Sequence, residues 1–530
     1  MDWLDRVSRS TIIFPTIPAA MGKCLASDSS IFAESSMAKD GKAYLSSLRD
    51  KRSIYIDGRR VADVTTDDCF RGVVGTAASL YDYQAAPENL EQMTFQSPTS
   101  GERVNLAWQL PKTYGDLVRR RQAIEKWSEL SCGMIGRSPD HVASTLAGFR
   151  MGLAAFRDYD PARAAALESY FQYARDNDLF LSYVIINPQS DKAKSAGGQP
   201  DPHLVASVVD EDSEGITIRG AKMLATSGVM ANELLVSGFQ ALQAGDEAYA
   251  FTAVVPLGAK GLSLMSRRSY EHNATSVFDY PLSSRFDEND AMVHFDDVKI
   301  PWDRVFVFKD LKMAQAQWHD SRAHVFQNYQ SIVRLMVKLR FMLGLARKIA
   351  ETNNIINYPQ VRETLGLMAA KVSNIEALVI AMEIKGENFG EFYVPDRAML
   401  CAAQVIAQTT YPEITEAIRS LSGGGMIMVP SSYADFATPE TNAIIHKTQR
   451  SPVASSEQRV KLMKLAWDAV GSEFGSRHLQ YEMFYSGAPF VTRGNSFRFF
   501  DWDGVKDPVD QFMSSYDLPQ ARRKLPNAAE

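Results

Sequence analysis

The sequence predicts an α+β protein in which a mainly helical N-terminal region precedes a β subdomain and a helical bundle completes the chain. The evidence is the spacing of apolar residues, which changes twice along the chain. The spacing is helical over 114–130 and over 330–382, whereas between 216 and 298 it is typical of strands. Several short strands with no helical segment between them indicate an antiparallel β subdomain.

The composition is that of a globular protein, with 530 residues of which 45% are hydrophobic and 23% charged. A chain of this length is expected to form two or three packed subdomains. The formal net charge of −6 argues against binding to nucleic acid or to an anionic membrane. The four cysteines lie far apart, which argues against a zinc knuckle or an iron–sulfur cluster and suits a reducing cytoplasm (Cys24, Cys69, Cys132 and Cys401).

We predict four segments along the chain. Residues 1–37 form a poorly ordered extension, because their short apolar patch is broken by two prolines and lacks the basic start of a secretory signal; a targeting role for it stays open. Residues 38–180 form a mainly helical N-terminal domain, 181–306 a β-barrel-like middle domain, and 307–530 a C-terminal helical bundle domain.

Local signals place the first elements. A short helix over 41–49 is followed by a strand over 54–56, and Asp57-Gly58 is a hairpin turn. In the middle region, a strand that includes Ile216 and Ile218 is expected to stop at Gly220. Further strands are expected within 234–236, 250–255 and 292–298.

The C-terminal region carries long amphipathic patterns that predict a bundle. Apolar stripes run through 330–350 and 361–382, prolines at 359 and 395 mark helix starts, a third helix ends at the glycines 423–425, and a fourth starts near Ser456. No apolar run reaches the length that spans a bilayer. The buried stripes on several long helices favour a homodimer or homotetramer.

Several long motifs carry a family resemblance. They are FDYPLSSRFDENDA at 278–291, GSEFGSRHLQYEMFY at 471–485, WSELSCGMIGRSPD from Trp127 and INPQSDK from Ile186. Together they resemble the 4-hydroxyphenylacetate 3-hydroxylase family over about 41–487. The order of the regions is also similar to the acyl-CoA dehydrogenase-type architecture, in which flavin lies between the β subdomain and the helices.

The resemblance implies the oxygenase component of a two-component monooxygenase. A separate NAD(P)H-dependent reductase would supply reduced FAD, and O2 would be the co-substrate. The family's reaction passes through a flavin C4a-hydroperoxide and hydroxylates a phenol ortho to its hydroxyl, with the flavin carrying the chemistry. The phenol is either free or tethered to a carrier protein.

Three substrate-site residues follow from the resemblance. Arg137 matches an arginine beside flavin and substrate, where a permanent cation can stabilise anionic charge; the other interpretation is a surface or helix-capping arginine. His141 and Tyr183 stand where relatives carry tyrosine and histidine, so the two ring types are exchanged. A histidine there could accept a phenolic proton, or each ring simply fills a different pocket.

The other site candidates also come from the resemblance. Three further residues are expected to line the pocket: Tyr280, Gln240 and Ala241. A larger set is expected to contact FAD: Gln189, Ser190, Asp191, Lys192, Thr226, Arg477, Tyr481, Phe484 and Tyr485. For Tyr481 and Phe484, helix packing is an equally good interpretation.

No metal site is expected, because the histidines lack metal-binding spacing. His319 and His324, five residues apart, are expected on different faces of one helix. Two other functions stay open: an acyl-CoA dehydrogenase- or dehydratase-like flavoenzyme, and a non-catalytic relative that binds flavin or a carrier protein.

Overall fold

A computed structural model describes residues 38–188 and 190–516. The N-terminal part is mainly helical, as expected. Its elements are α1 (Gly41–Ser47), β1 (Ile54–Ile56), β2 (Arg59–Arg60), α2 (Arg71–Ala85), α3 (Leu90–Met93), β3 (Thr94–Gln96), β4 (Arg103–Asn105), α4 (Tyr114–Leu130), α5 (Pro139–Met151), α6 (Leu153–Tyr159) and α7 (Pro161–Asp176). Helix α4 has the predicted bounds, and a capping box between Thr113 and Asp116 fixes its start.

The middle part is built from strands. They are β5 (Leu181–Val184), β6 (Ser207–Glu211), β7 (Gly215–Lys222), β8 (Glu233–Val236), β9 (Phe251–Pro256), β10 (Leu262–Ser266), β11 (Ala291–Pro301) and β12 (Val305–Phe308), with a single-turn helix α8 (Ser283–Phe286) before β11. One sheet has the order β2-β1-β10-β11-β7-β6 and the other the order β12-β9-β8-β5.

Most strand pairs in these sheets are antiparallel, as predicted, but two are parallel. Strand β1 pairs in parallel with β10, so the N-terminal hairpin joins the middle sheet, and β5 pairs in parallel with β8. Strand β7 does not stop at Gly220 but continues to Lys222. Glycine is needed there because φ is +113° and a Cβ would lie 2.5 Å from the Val205 carbonyl oxygen.

The C-terminal part returns to helices. They are α9 (Leu311–Asp320), α10 (Ala323–Thr352), α11 (Pro359–Ile384), α12 (Arg397–Ser422), α13 (Pro439–Thr448), α14 (Ser456–Val470), α15 (Glu473–Phe484), α16 (Pro489–Phe499) and α17 (Trp502–Ser514), with a hairpin of β13 (Glu387–Phe389) and β14 (Phe392–Val394) between α11 and α12. The helical–β–helical order confirms the predicted fold class.

Helix α10 lies at the centre of the molecule. It packs against α4, α5, α11, α12 and α14, and every residue from Ala323 to Leu339 is buried. Several of these buried residues are polar, which is costly unless they have partners. The N-terminal half of α10 is therefore where a functional site is expected.

Two expectations about helices need correction. His319 and His324 do not share a helix: α9 ends at Asp320, Arg322 has a φ of +72°, and the two imidazole rings meet with centroids 4.9 Å apart. In addition, α11 has the length and apolarity of a helix that could cross a membrane. One face of α11 is buried against α10 and α12, whereas Leu367, Ile380 and Ile384 are exposed.

The packing of α10 predicts a strong effect of truncating its core. Ile332 is fully buried, so Ile332→Ala is expected to lower the free energy of unfolding by about 3 kcal/mol. Leu367→Ala, at a position that is 60% exposed on α11, is the matched control and should change it by less than about 0.5 kcal/mol. Urea unfolding measures both free energies. Equal losses in the two variants would contradict the burial of Ile332 in the core around α10.

Candidate active site

Arg137 places a buried positive charge just before α5. Its guanidinium donates to His141 Nε2 at 2.6 Å and lies 5.1, 5.4 and 5.8 Å from the ring centroids of Tyr183, Tyr481 and Tyr485. The residue is 7% exposed. Among the described residues, no carboxylate lies within salt-bridge distance of this guanidinium. A buried cation surrounded by aromatic rings favours an anionic ligand.

The contact with Arg137 fixes the protonation of His141. Arginine only donates hydrogen bonds, so Nε2 accepts and the proton of the neutral ring sits on Nδ1. Burial, followed by repulsion from Arg137 and Arg334, holds the pKa of His141 well below its usual value. Nδ1 is buried and has no hydrogen-bond partner within the described part of the chain. In this arrangement His141 offers a donor at Nδ1, whereas its expected role as a proton acceptor stays a prediction.

Tyr183 contributes a second donor. Its ring lies 5.2 Å from that of His141, and its hydroxyl accepts a hydrogen bond of 3.2 Å from Gln327 Nε2. Burial raises the pKa of Tyr183, so the hydroxyl keeps its proton. Arg137, His141 and Tyr183 thus lie together in one buried cluster, and the guanidinium beside the Tyr183 hydroxyl suits an oxygen atom that carries negative charge.

Glu288 holds the segment that carries Arg137. Its carboxylate accepts from the backbone N–H groups of Gly136 and Arg137, at 2.8 and 2.9 Å, and from Arg477 Nη1 at 2.7 Å. Gly136 must be glycine, since a Cβ there would lie 2.2 Å from the Tyr481 hydroxyl oxygen. Glu288 thereby ties the start of α5 to α15.

Asp290 joins two of the predicted flavin residues. It accepts two hydrogen bonds from Arg477, at 2.7 and 2.9 Å, and one of 2.7 Å from the Thr226 hydroxyl. Arg267 donates to the same carboxylate at 3.0 Å. Although burial alone would raise it, the two arginines hold the pKa of Asp290 well below its usual value. Thr226 and Arg477 are therefore fixed at one place beside the Arg137 group.

A second charged cluster lies behind the tyrosines of α15. Tyr481 and Tyr485 stack with ring centroids 5.4 Å apart, and the guanidinium of Arg334 lies 5.5 and 5.4 Å from them. Arg334 pairs with Glu482, which also accepts from Lys338 at 2.8 Å. Burial alone would raise the pKa of Glu482, but the two cations lower it to about 2. This cluster fixes the orientation of α15 and its tyrosines.

Comparison with known proteins shows the family of this chain. The model described as 4-hydroxyphenylacetate 3-hydroxylase N terminal matches residues 40–307, and the one described as 4-hydroxyphenylacetate 3-hydroxylase C terminal matches residues 314–514. The chain belongs to the 4-hydroxyphenylacetate 3-hydroxylase family. The resemblance inferred from the sequence motifs is thereby confirmed.

Individual relatives agree with the family. The 4-hydroxyphenylacetate 3-monooxygenase oxygenase component of Geobacillus sp. is 32% identical over 485 residues, covering 90% of this chain and 96% of the relative. The pyoverdin chromophore biosynthetic protein PvcC of Pseudomonas aeruginosa is 35% identical, covering 90% and 96%. A crystal structure of a 4-hydroxyphenylacetate 3-monooxygenase oxygenase component with FAD and 4-hydroxyphenylacetate matches with a TM-score of 0.86 at 31% identity, covering 90% of this chain and 99% of that one.

Some predicted family-site residues lie apart from the Arg137 group. Phe484 is 44% exposed, and Tyr280, half-buried, makes no ring contact or hydrogen bond to the group among the described residues. Gln240 and Ala241 are exposed; Gln240 accepts a hydrogen bond from Asn187. These four residues therefore lie outside the Arg137 cluster. Phe484 is on the exposed face of α15, and the other three are in loops.

The predicted flavin-contacting turn is only partly described. Gln189 lies outside the described residues. Ser190 and Lys192 are exposed, and Asp191 accepts from the backbone N–H of Ala193 at 3.0 Å. The turn follows β5, which carries Tyr183, so it lies near the site along the chain, and its role with flavin stays a prediction.

Several residues of the site were missed by reasoning from the sequence. Glu288 and Asp290 lie within the motif that carried the resemblance, where their acidic spacing was a usable signal. Gln327, Arg334 and Lys338 interrupt an otherwise apolar helix. Polar residues at core positions of a long helix are the signal that could have found them.

The buried cluster predicts unequal effects of two charge changes on α15. Glu482→Gln removes a fully buried carboxylate from two cations and is expected to lower the free energy of unfolding by about 3 kcal/mol. Glu473→Gln breaks an exposed pair with Arg268 and should cost under about 1 kcal/mol. Thermal and urea unfolding of both variants test this, and an unchanged Glu482→Gln protein would show that the cluster does not fix α15.

Proposed function

We propose that this chain is the oxygenase component of a two-component FAD-dependent monooxygenase that hydroxylates a phenol ortho to its hydroxyl. The observation that carries the proposal is the buried Arg137 charge, which has no carboxylate partner among the described residues and lies beside His141 and the Tyr183 hydroxyl. Reduced FAD supplies the oxygen activation when bound. The family and its FAD-containing relatives support this assignment.

The chain's own residues act on the phenol. Arg137 and Tyr183 donate to the phenolic oxygen and stabilise its anionic form, in which the ortho carbons are electron-rich, while His141 holds the guanidinium in place. Among these three residues no group is free to remove a proton, because the His141 lone pair is engaged and Tyr183 is neutral. Activation therefore comes from binding the phenolate rather than from a general base.

The flavin lies, in this proposal, against Thr226, Arg477 and the tyrosine pair. The hydroxyls of Tyr481 and Tyr485 are buried and have no hydrogen-bond partner in the described part of the chain, so they suit polar edges of a bound ring. Burial, the largest influence on both hydroxyls, raises the pKa of Tyr485 and of Tyr481, so both remain donors. The surrounding aromatic wall excludes water, which favours transfer of oxygen to the phenol over release of peroxide.

The partners follow from the same proposal. A separate NAD(P)H-dependent reductase supplies reduced FAD by diffusion, and the phenol is free or carrier-bound. The chain works in the cytoplasm as a homodimer or homotetramer. Exposed apolar side chains on α11 and α17 support self-association, among them Leu367, Ile384 and Phe512.

Arg137→Gln is expected to uncouple flavin oxidation from hydroxylation. Loss of the cation removes the stabilisation of anionic oxygen, so the hydroxylated product per FAD oxidised should fall about 100-fold while hydrogen peroxide rises. Arg150→Gln is the matched control, because Arg150 lies at the far end of α5 and pairs with Glu168. An unchanged product yield with Arg137→Gln would refute the role given to this residue.

The pH dependence of the single-turnover hydroxylation rate should be set by the pKa of the substrate phenol. Because the pKa of His141 is depressed well below 6.5, the ring stays neutral from pH 6 upward and adds no inflection there. The rate should rise with pH through the pKa of the bound phenol, and at a lower pH for a nitrophenol than for an alkylphenol. The same inflection near 6.5 for both substrates would instead indicate a histidine base.

A further inference from the structure

Lys222, the last residue of β7, is buried without a counter-ion. It is 3% exposed, and within the described part of the chain no carboxylate lies at salt-bridge distance from its ammonium group. Burial alone lowers the pKa of Lys222 to about 7. An unpaired buried ammonium group is costly, whereas an apolar side chain would fill the same space without that cost. We therefore expect Lys222 to have a role other than stabilising the fold.

Lys222 begins a series of side-chain hydrogen bonds. Its Nζ donates to Asn187 Oδ1 at 2.7 Å, and Asn187 Nδ2 donates to Gln240 Oε1. Because an ammonium group only donates, the carbonyl oxygen of Asn187 must face Lys222, and its amide nitrogen is then directed to Gln240. Lys222 thereby sets the direction of both hydrogen bonds. We call these three residues the Lys222 link.

The Lys222 link joins two segments that leave the same edge of one sheet. Strands β5 and β8 are parallel neighbours, and Tyr183 on β5 is paired with Leu235 on β8. Asn187 lies just beyond the end of β5, and Gln240 lies just beyond the end of β8. Both segments therefore begin close to Tyr183, where the phenol is proposed to bind.

The lysine stands on a rigid base. The Met223 N–H donates to the Ile186 carbonyl oxygen at 2.7 Å, and Ser182 Oγ donates to the Thr226 carbonyl oxygen at 2.6 Å. The stretch from Lys222 to Thr226 is thus bound to β5 and to the residues that follow it. The position of Lys222 is therefore fixed by the sheet, which makes it a suitable anchor for a surface loop.

The loop after β8 has a second attachment on its way to Gln240. Trp318 Nε1 on α9 donates to the Gly238 carbonyl oxygen at 3.1 Å, and its ring lies 4.2 Å from that of Phe239. A Cβ on Gly238 would lie 3.7 Å from Lys222 Nζ, so the loop backbone also runs close to the ammonium group. The loop is therefore attached to α9 at Gly238 and to the sheet through the Lys222 link at Gln240.

We propose that Lys222 is a positioning residue that fixes the loop at 238–241 against the turn at 186–188 and so keeps this loop beside the phenol bound at Tyr183. Without the link, the loop occupies this position for a smaller fraction of the time, and the apparent affinity for the phenol falls by that fraction. This inference deepens the proposed hydroxylase function and rests on it.

Proteolysis of the full-length protein tests the link without any reaction. In Lys222→Met, chymotrypsin should cut after the exposed Phe239 about tenfold faster, because loss of the charge-assisted hydrogen bond lets the loop open. Mass spectrometry identifies the cut, and cleavage after Phe512, exposed on α17, is the internal reference. Lys299→Met, an exposed lysine on β11 that pairs with Asp212, is the matched control and should leave the rate unchanged.

A double-mutant cycle separates the link from general loosening of the protein. Gln240→Leu, at an exposed position, should accelerate cleavage to the same degree, each rate being divided by that of a synthetic peptide with the same sequence. The Lys222→Met/Gln240→Leu double variant should be cut no faster than either single variant, since both act through one link. Unchanged rates in the single variants, or effects that multiply, would overturn the proposal. If Lys222→Met does not fold, Gln240→Leu alone carries the expectation.

The kinetics of hydroxylation show whether the link serves the binding of the phenol. With reduced FAD in excess and 4-nitrophenol as the probe, Lys222→Met should raise KM about tenfold and change kcat less than about twofold. A lower kcat at unchanged KM would indicate a loss of folded enzyme and would overturn the proposal. A native protein that hydroxylates neither 4-nitrophenol nor 4-hydroxyphenylacetate would contradict the proposed function instead, and the cleavage rates would still decide the link.

Discussion

The structure depends on a positive charge that is buried without a direct counter-ion. Removing a guanidinium from water is costly, and that cost is normally offset by a carboxylate. Arg137 instead contacts a neutral histidine and three tyrosine rings. A protein retains such an arrangement when a ligand completes it. We infer that this ligand is an oxygen anion, and a related oxygenase component binds FAD and 4-hydroxyphenylacetate.

The neighbouring charges explain how Arg137 stays in place. Glu288 binds the backbone on either side of it, and Arg477 connects Glu288 with Asp290. Glu288 and Asp290 lie directly before β11, whereas Arg477 lies on α15. The β subdomain and the helical bundle are therefore held together at the site itself. Changes that loosen either region are expected to act on the geometry of the donors.

The sequence predicted the fold class well and the site only in part. Apolar spacing located α4, α10 and α11, because packing of one helix face imposes that spacing. A proline near its start and glycines at its end located α12. Parallel pairing of β1 with β10 was not predictable, since it joins residues about 200 positions apart with no local signal. The motif resemblance placed Arg137 and Thr226 where the structure shows a cluster. It did not reveal that Arg137 occupies the His141 lone pair, because that depends on a distance between two side chains.

The most direct test is the ionisation of a bound phenol. A nitrophenol changes its absorption spectrum when it loses its proton, so the bound form can be titrated optically. The titration uses protein that is loaded with reduced FAD and kept free of oxygen. We predict that binding next to Arg137 lowers the pKa of the phenol by about 1 to 3 units and that Arg137→Gln abolishes the shift. A bound phenol whose pKa equals or exceeds that in water would contradict the account.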